Sequence, residues 1–507
     1  MKCSGQYEHL STKREVYLSR ARECAKVTIP SLVPLAGNTH SSLFSTPYQG
    51  VGARGVNNLA SKLLLALLPP NSPFFRLQVD DYTLEEIAGD EGARAQVEEA
   101  LNKIERAVMT EIETQGLRSP VFEALKHLIT AGNCAVYLPK EGGARVFSLD
   151  RYVVKRDPMG EVLTIIIKEE VSPATLEPDV KEILSENFDD EKVDIYTKME
   201  RRGSHYHLHQ EIEGTVIPGT EAKYPIEKSP LIALRWTRID GEDYGRSYVE
   251  VYLGDLISLE GLSQAILEGS AASAKIIFLV SPNGTTKVRD IARAENGAIL
   301  TGRADEVSVL QANKQADLRV AQETAATITR RLEQAFLMNT SVQRAGERVT
   351  AEEIRFMAGE LEDALGGVYS ILSQEFQLPF VARMMDRMQK QRRIPSLPRG
   401  IVRPAIVTGL EALGRGHDLQ KLSLFMKSMN ELGPEAQSAI NMHNLISRVG
   451  TSLGIDMSGL VKTQEEIEQE QQQQQALMEQ QQMMELAGKA TPNAVNAVAG
   501  AMQQGTP

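Results

Sequence analysis

The stretch Gln343-Arg344-Ala345-Gly346-Glu347-Arg348-Val349-Thr350, set between two long helical patterns, decides how this chain reads. Before it, Leu318, Ala321, Ala325, Ile328, Leu332 and Ala335 recur at alternating spacings of three and four. That spacing predicts a helix over 316–343 with one seam packed on a neighbour. After it, Thr350 and Glu353 form a capping box. Ile354, Ala358, Leu361, Leu365, Val368 and Leu372 then share one helix face. Gly366 and Gly367 fall inside that second helix, where adjacent glycines weaken it and invite a bend. A polar turn carrying Arg344 and Arg348 between long helices suits a surface that touches a polymer. It suits an enzyme pocket much less.

Outward from this centre the pattern is mixed. Towards the N-terminus, Asn57–Leu68 reads as an apolar helix stopped by Pro69-Pro70, and Glu98–Ile112 as an amphipathic helix with Leu101, Ile104, Val108 and Ile112 on its inner face. Ser119-Pro120 reads as a helix start with proline at the first position, and Ala131-Gly132 as its end. Strands are expected at Cys134–Leu138, at Tyr152–Lys155 and Val162–Lys168 around the turn Asp157-Pro158-Met159-Gly160, at Asp194–Met199 and His205–Ile212 around Arg201-Arg202-Gly203, and at Leu231–Thr237. Together they suggest an antiparallel meander with helices packed on it. Tyr248–Ala274 is the next expected helix, ending in the small residues Gly269–Ala274 that favour close helix packing. A β-rich module follows, with strands near Ile276–Val280, Ala298–Leu300 and Ser308–Leu310. Beyond the bent helix and a second break at Pro379, Pro395, Pro398 and Pro404 mark a connector. Asp418–Gly450 returns to helix, and from Gln464 the sequence becomes glutamine-rich and is expected to end disordered. The fold class is therefore α+β, mainly helical.

Composition narrows the function. The net charge of −12 over 507 residues speaks against tight, extended binding of nucleic acid, which calls for a basic excess. Any such contact should be local. The three scattered cysteines form no disulfide framework, so the chain reads as intracellular, and no run is long enough for a membrane span. His205, His207 and His209 alternate and so share one strand face. With no cysteine or further histidine close in sequence to complete a metal site, they read as solvated hairpin residues, and no metal or cofactor is expected. Gly214 and Gly219 have phosphate-loop spacing, but Thr220 and Glu221 stand where Lys and Ser/Thr are required. No motif of an activated serine, zinc protease or thiol pair occurs, so no enzyme activity is expected. Lys287, Arg289, Arg293 and Arg303 make the β-rich module locally basic.

Long runs of this sequence resemble one family. They are Val51-Gly52-Ala53-Arg54-Gly55-Val56-Asn57-Asn58-Leu59-Ala60-Ser61-Lys62-Leu63, Phe122–Lys126, Asp240–Tyr248, Val342–Arg355 and Leu365–Glu375. In this order they are similar to the portal proteins, or head-to-tail connectors, of short-tailed bacteriophages of the autographivirus type, from about Val27 to Asp456. The resemblance implies a ring, usually of twelve subunits, at one capsid vertex of the virion, assembled in the host cytoplasm, through which double-stranded DNA is packaged and ejected. It implies a wing at 1–245, stem helices at 246–274 and 316–343, a clip at 275–315, a tunnel loop at 344–350, a bent helix and remaining wing at 351–416, a crown at 417–484 and a tail at 485–507. Arg344, Glu347, Arg348, Val349 and Thr350 would meet DNA at the constriction. Lys287, Arg289, Arg293 and Arg303 would lie where the clip meets the terminase large subunit and the tail adaptor. Gly366 and Gly367 would form the wing hinge. Major capsid, scaffolding and internal core proteins complete the implied partners. The competing assignment is an internal virion or tail protein without a DNA channel.

Simple geometry accommodates the resemblance. Twelve helices packed about 9 Å apart place their axes on a circle roughly 34 Å wide, leaving a bore of about 24 Å. A double helix about 20 Å across passes through it with little slack.

Overall fold

The computed structural model describes residues 2–35, 42–70, 73–79, 91–176, 178–181, 192–273, 277–295, 297–310, 315–338, 361, 364–397 and 401–406, with Lys427 and Met478 as isolated positions. The chain divides into two units, Met1–Ala412 and Leu413–Pro507, and the elements below belong to the first. In order they are α1 (Cys3–Lys26), α2 (Val51–Leu67), β1 (Phe75–Val79), α3 (Glu91–Thr114), α4 (Arg118–Ala131), β2 (Asn133–Tyr137), β3 (Arg145–Phe147), β4 (Tyr152–Arg156), β5 (Val162–Val171), β6 (Val193–Arg202), β7 (His205–Ile212), β8 (Thr215–Val216), β9 (Ala222–Pro225) and β10 (Leu231–Arg235). There follow α5 (Tyr248–Val251), α6 (Leu253–Ser273), β11 (Ile277–Val280), α7 (Val288–Arg293), β12 (Val307–Leu310), α8 (Gln315–Ala335), α9 (Gly367–Leu372), α10 (Leu378–Lys390) and β13 (Val402–Ile406).

The expected meander is two sheets. β4, β5, β6 and β7 form an antiparallel sheet in sequence order, with β8 and β9 both paired to β7. β10, β2 and β3 form a separate antiparallel sheet with β2 central. This second sheet is a partition. Cys134, Val136, Ile232 and Leu234 join the main helical core, whereas Ala135, Leu231 and Ala233 join the core beneath the larger sheet. Alternation along a strand sends successive side chains to opposite faces. Because both faces are buried, Leu231–Arg235 is buried throughout and reads as a continuous apolar run.

α1 covers the larger sheet. Its buried face runs Cys3, Tyr7, Leu10, Arg14, Leu18, Ala21 and Ala25. Arg14 is buried there because its guanidinium donates to the carbonyls of Asp150 (2.8 Å) and Tyr152 (2.9 Å) and to the Tyr7 hydroxyl (3.1 Å). These bonds from Nη1 offset much of the cost of burying the charge, although Nε has no partner among the described residues.

Several expectations shift. α2 begins at Val51, not Asn57. Its last carbonyls, left unpaired before Pro69-Pro70, accept from the Tyr369 hydroxyl (Ala66, 3.0 Å) and the Gln377 side-chain amide (Leu67, 2.7 Å). α4 starts two residues ahead of Pro120, which sits in the first turn where its missing donor costs nothing. Pro404, expected in a connector, is instead in β13, opposite Leu77 of β1; an edge strand tolerates it. Pro379 does not break its helix. A π-turn at Ser373–Gln377 precedes it, and the wider turn relieves the clash between a proline ring and the carbonyl four residues back.

His127 on α4 is buried, and its Nδ1 has no hydrogen-bond partner among the described residues. Burial pulls its pKa down to about 4 from 6.5. The unfolded chain therefore takes up this proton before the folded one does. The associated stability is complete above pH 6.5 and is lost as the pH falls towards about 4, by up to about 3 kcal/mol. We expect His127→Leu to flatten that part of the pH dependence, measured as urea midpoints across the interval. A variant with an unchanged slope would show that this histidine is not the titrating group.

Candidate functional site

The described residues place a helical hairpin, α6 with α8, and at its far end a small module built on β11 and β12. The two helices run antiparallel: Arg331 pairs with Asp255 (2.7 Å) near one end, and Gly269 meets Leu318 near the other. The close packing expected of the small-residue run is present there. The anticipated seam is also present, with Ile328 and Leu332 buried and Leu318, Ala321, Ala325 and Ala335 half-buried. The helix expected from Tyr248 is interrupted at Tyr252, which separates α5 from α6. Ser247 caps α5 by accepting from the Glu250 amide (3.0 Å).

α8 ends at Ala335, short of the expected Gln343. The cause is a Schellman turn: Met338 N–H donates to Glu333 O (2.8 Å) and Leu337 N–H to Gln334 O (3.0 Å). Leu337 takes the left-handed conformation, φ +55°, uncommon for a leucine. α2 holds it there. Asn58 Nδ2 donates to the carbonyls of Phe336 (2.9 Å) and Leu337 (3.0 Å), and the Lys62 ammonium to Leu337 (2.8 Å). A cation at a helix C-terminus also opposes the helix dipole favourably. The Phe336 ring lies on Gly55, where an added Cβ would stand 2.6 Å from Cγ. Around it Trp236, Tyr248 and Tyr252 form an aromatic cluster with centroids 5.3–6.0 Å apart, and the Tyr248 hydroxyl donates to Ala335 O (2.7 Å).

Arg344, Glu347, Arg348, Val349 and Thr350 lie outside the described residues, as do the Thr350–Glu353 capping box and nearly all of 407–507. Of the β-rich module, β11 and β12 pair antiparallel. Ala298–Leu300 is not a strand, and the short helix α7 was not anticipated. Lys287, Arg289 and Arg293 are exposed on or beside α7. Arg303 is a different case, since its guanidinium is engaged by Asp305 (2.9 Å). The module is therefore less basic than its arginines suggest. Glu306 organises the preceding loop, accepting from Thr286 N–H (2.8 Å) and the Thr285 and Thr286 hydroxyls. The Thr285 backbone N–H and these groups hold its carboxyl below the usual range.

Gly366 has φ +41° and ψ −107°, and α9 starts at Gly367. The helix break expected at this pair is present. The alternating histidines are not all solvated. His209 is half-buried and its Nε2 lies 3.6 Å from Cys3 Sγ, a neighbour 206 positions away in sequence.

Gly55, Asn58 and Lys62 were missed as functional residues. They stand three and four apart on one face of α2, and the polar Asn58 and Lys62 on that face were the available signal. Gly55→Ala should lower stability by about 1–3 kcal/mol through overpacking against Phe336, although alanine is the better helix former. Chemical denaturation reads this, and an unchanged or raised midpoint would mean that Phe336 is not seated on α2.

The sequence pattern of the family described as "Bacteriophage head to tail connecting protein" matches residues 1–461. The chain is 44% identical over 475 residues to the portal protein of Escherichia phage T7, covering 91% of this chain and 88% of that one. It is 44% identical over 471 residues to the portal protein of Enterobacteria phage T3, with the same coverages. To the portal protein of Enterobacteria phage SP6 it is 33% identical over 499 residues, covering 96% and 95%.

Proposed function

We propose, from the premise that this chain belongs to the bacteriophage head-to-tail connecting proteins and performs the portal function in the virion, that its copies close into a ring around a DNA channel. The observation that carries this is the surface of the hairpin. α6 carries apolar side chains on more than one face, yet within one subunit it fully buries only Leu256 and Leu259. Ile257 (53% exposed), Leu267 (55%) and, on α8, Val320 (64%) face solvent. An apolar face of a helix is ordinarily packed against a neighbour. Neighbouring copies in a ring of about twelve would supply the missing contacts, in head-to-tail fashion.

In this reading α6 and α8 are the stem, and the β11–β12 module is the clip. Exposed Phe278, Val288 and Ile299 would serve contacts between subunits, and Lys287, Arg289 and Arg293 the terminase and tail adaptor. Residues 344–350, which follow the α8 terminus, would form the constriction, with Arg344 and Arg348 making brief contacts to phosphates. α6 carries no lysine or arginine, and of its acids Asp255 pairs with Arg331 of α8 while Glu260 and Glu268 meet no cation among the described residues. A wall with that charge repels phosphate and lets DNA slide, because each neutralised phosphate would add affinity through counterion release. Gly366 would hinge the wing. The capsid, scaffolding and internal core proteins would meet the remaining surfaces, and the packaging motor would be a separate enzyme.

Negative-stain electron microscopy tests the ring. Wild-type chain should give closed rings with a hole about as wide as duplex DNA. Ile257→Glu should give folded subunits, with unchanged far-ultraviolet dichroism, that do not close. Intact rings from Ile257→Glu would remove the hairpin from the interface. Arg344→Ala with Arg348→Ala should leave rings intact and reduce packaged or retained DNA. Normal packaging by that double variant would refute the phosphate contacts.

A further inference from the structure

One buried cluster lies far along the chain from the hairpin. His205, His207, His209 and Glu211 share one face of β7, opposite Arg202, Glu200, Lys198 and Tyr196 of β6 in register. The first turn of α1 rests on this face and brings Cys3 to it. The Cys3 sulfur, a His209 ring nitrogen and a Glu211 carboxylate oxygen all lie within 4.8 Å of one another.

Two features set this cluster apart from ordinary packing. Glu211 is only 6% exposed. Among the described residues its two oxygens accept only from Cys3, from the backbone N–H at 2.9 and 3.1 Å and from the thiol, and no cation pairs with it. Lys198 and Arg202 are both engaged by Glu200 instead. A buried carboxylate is normally matched by a positive charge or a metal. The second feature is spacing. In tetrahedral zinc sites the metal–sulfur and metal–nitrogen lengths put the two ligand atoms about 3.6 Å apart. Cys3 Sγ and His209 Nε2 are 3.6 Å apart. The carboxylate oxygen needs to close by up to about 1 Å to complete the set.

We propose that Cys3, His209 and Glu211 bind one divalent ion of the zinc class, through the thiolate, the Nε2 nitrogen and a carboxylate oxygen, with the fourth position open to water. Thiolate and carboxylate together balance the ion's charge. Without the ion, burial and the neighbouring Glu211 hold the thiol protonated, its pKa raised to about 12. Binding therefore forms the sulfur–metal bond and releases one proton to solvent, with no change in oxidation state. The other charges nearby, Lys198 and Arg202 against Glu200 and Glu221, cancel and leave the site close to neutral once the ion is in place. The ion would tie the start of α1 to β7, closing a long loop of chain.

Cobalt(II) is the probe. The full-length purified chain, stripped with chelator under reducing conditions, should take up one Co²⁺ per subunit with a thiolate-to-cobalt charge-transfer absorption, displaced by Zn²⁺. Cys3→Ser should abolish that absorption while leaving fold and assembly unchanged, since serine keeps the backbone N–H that Glu211 accepts. His209→Ala should weaken cobalt binding at least about tenfold, and Cys24→Ala should leave it intact. Absence of the charge-transfer absorption in the wild-type chain overturns the proposal, leaving Cys3 and His209 a thiol–imidazole hydrogen bond. So does its survival in Cys3→Ser. Cobalt bound without thiolate absorption also overturns it, since the ion would then sit on the histidines without Cys3.

Discussion

The capture of the α8 terminus by α2 is the contact on which the rest of this subunit depends. A helix that returns to a core brings unpaired carbonyls with it, and burying each without a donor costs roughly 1–3 kcal/mol. Asn58 and Lys62 meet those of Phe336 and Leu337, and Gly55 leaves the space into which Phe336 descends. The outgoing limb is fixed at the same place, because Tyr248 and Tyr252 stack on Phe336 and Tyr248 bonds Ala335 O. Both feet of the hairpin thus stand in one aromatic cluster. Its direction is set where the two feet join the core.

That division has an energetic consequence. A two-stranded sheet and a pair of helices are each marginal when isolated in water. The exposed apolar side chains of α6, α8 and the β11–β12 module bring little stability to a lone subunit, since burial contributes only about 25 cal/mol for each Å² removed from water. In the proposed ring the same side chains contribute on assembly. The part that would face DNA is then the part whose order depends most on its neighbours, while the α2 socket and the two sheets hold without them.

Much of this was legible in the sequence because it is local. Turns at Asp157–Gly160 and Gly203, the amphipathic face of α3 and the seam of α8 are each written in a few adjacent residues. What was not legible is what distant segments do to one another. The charge of Arg14 hides the buried stripe of α1 until Asp150 and Tyr152 offer their carbonyls. Leu231–Arg235 looks like one more strand of a meander, and only its pairing with β2 puts it in a separate sheet. β1 and β13 are too short and too far apart for pattern alone. The early end of α8 could not be seen either, since Leu337 is a poor left-handed residue and only α2 makes it one. For the candidate site, Gly366 announces itself by composition. The neighbourhood of His209 does not, because its partner Cys3 stands 206 positions earlier.

The segment after the Gly366–Gly367 break is held firmly in place. From Gly367 to Lys390 the helix runs through Pro379 without ending, and the π-turn at Ser373–Gln377 absorbs the proline. That turn is not loose. Glu375 on it pairs with the fully buried Arg235 of β10, and Gln377 caps α2 at Leu67. Breaking a buried pair by moving one partner strands the other charge, at a cost of several kcal/mol. The segment after Gly367 is therefore bound to the central sheet and to α2 together. Gly366, with no side chain and a backbone conformation that other residues reach only with strain, is the position at which the chain before it can change direction. In the proposed wing hinge, the chain before that glycine would turn about it and Glu375 would set the limit.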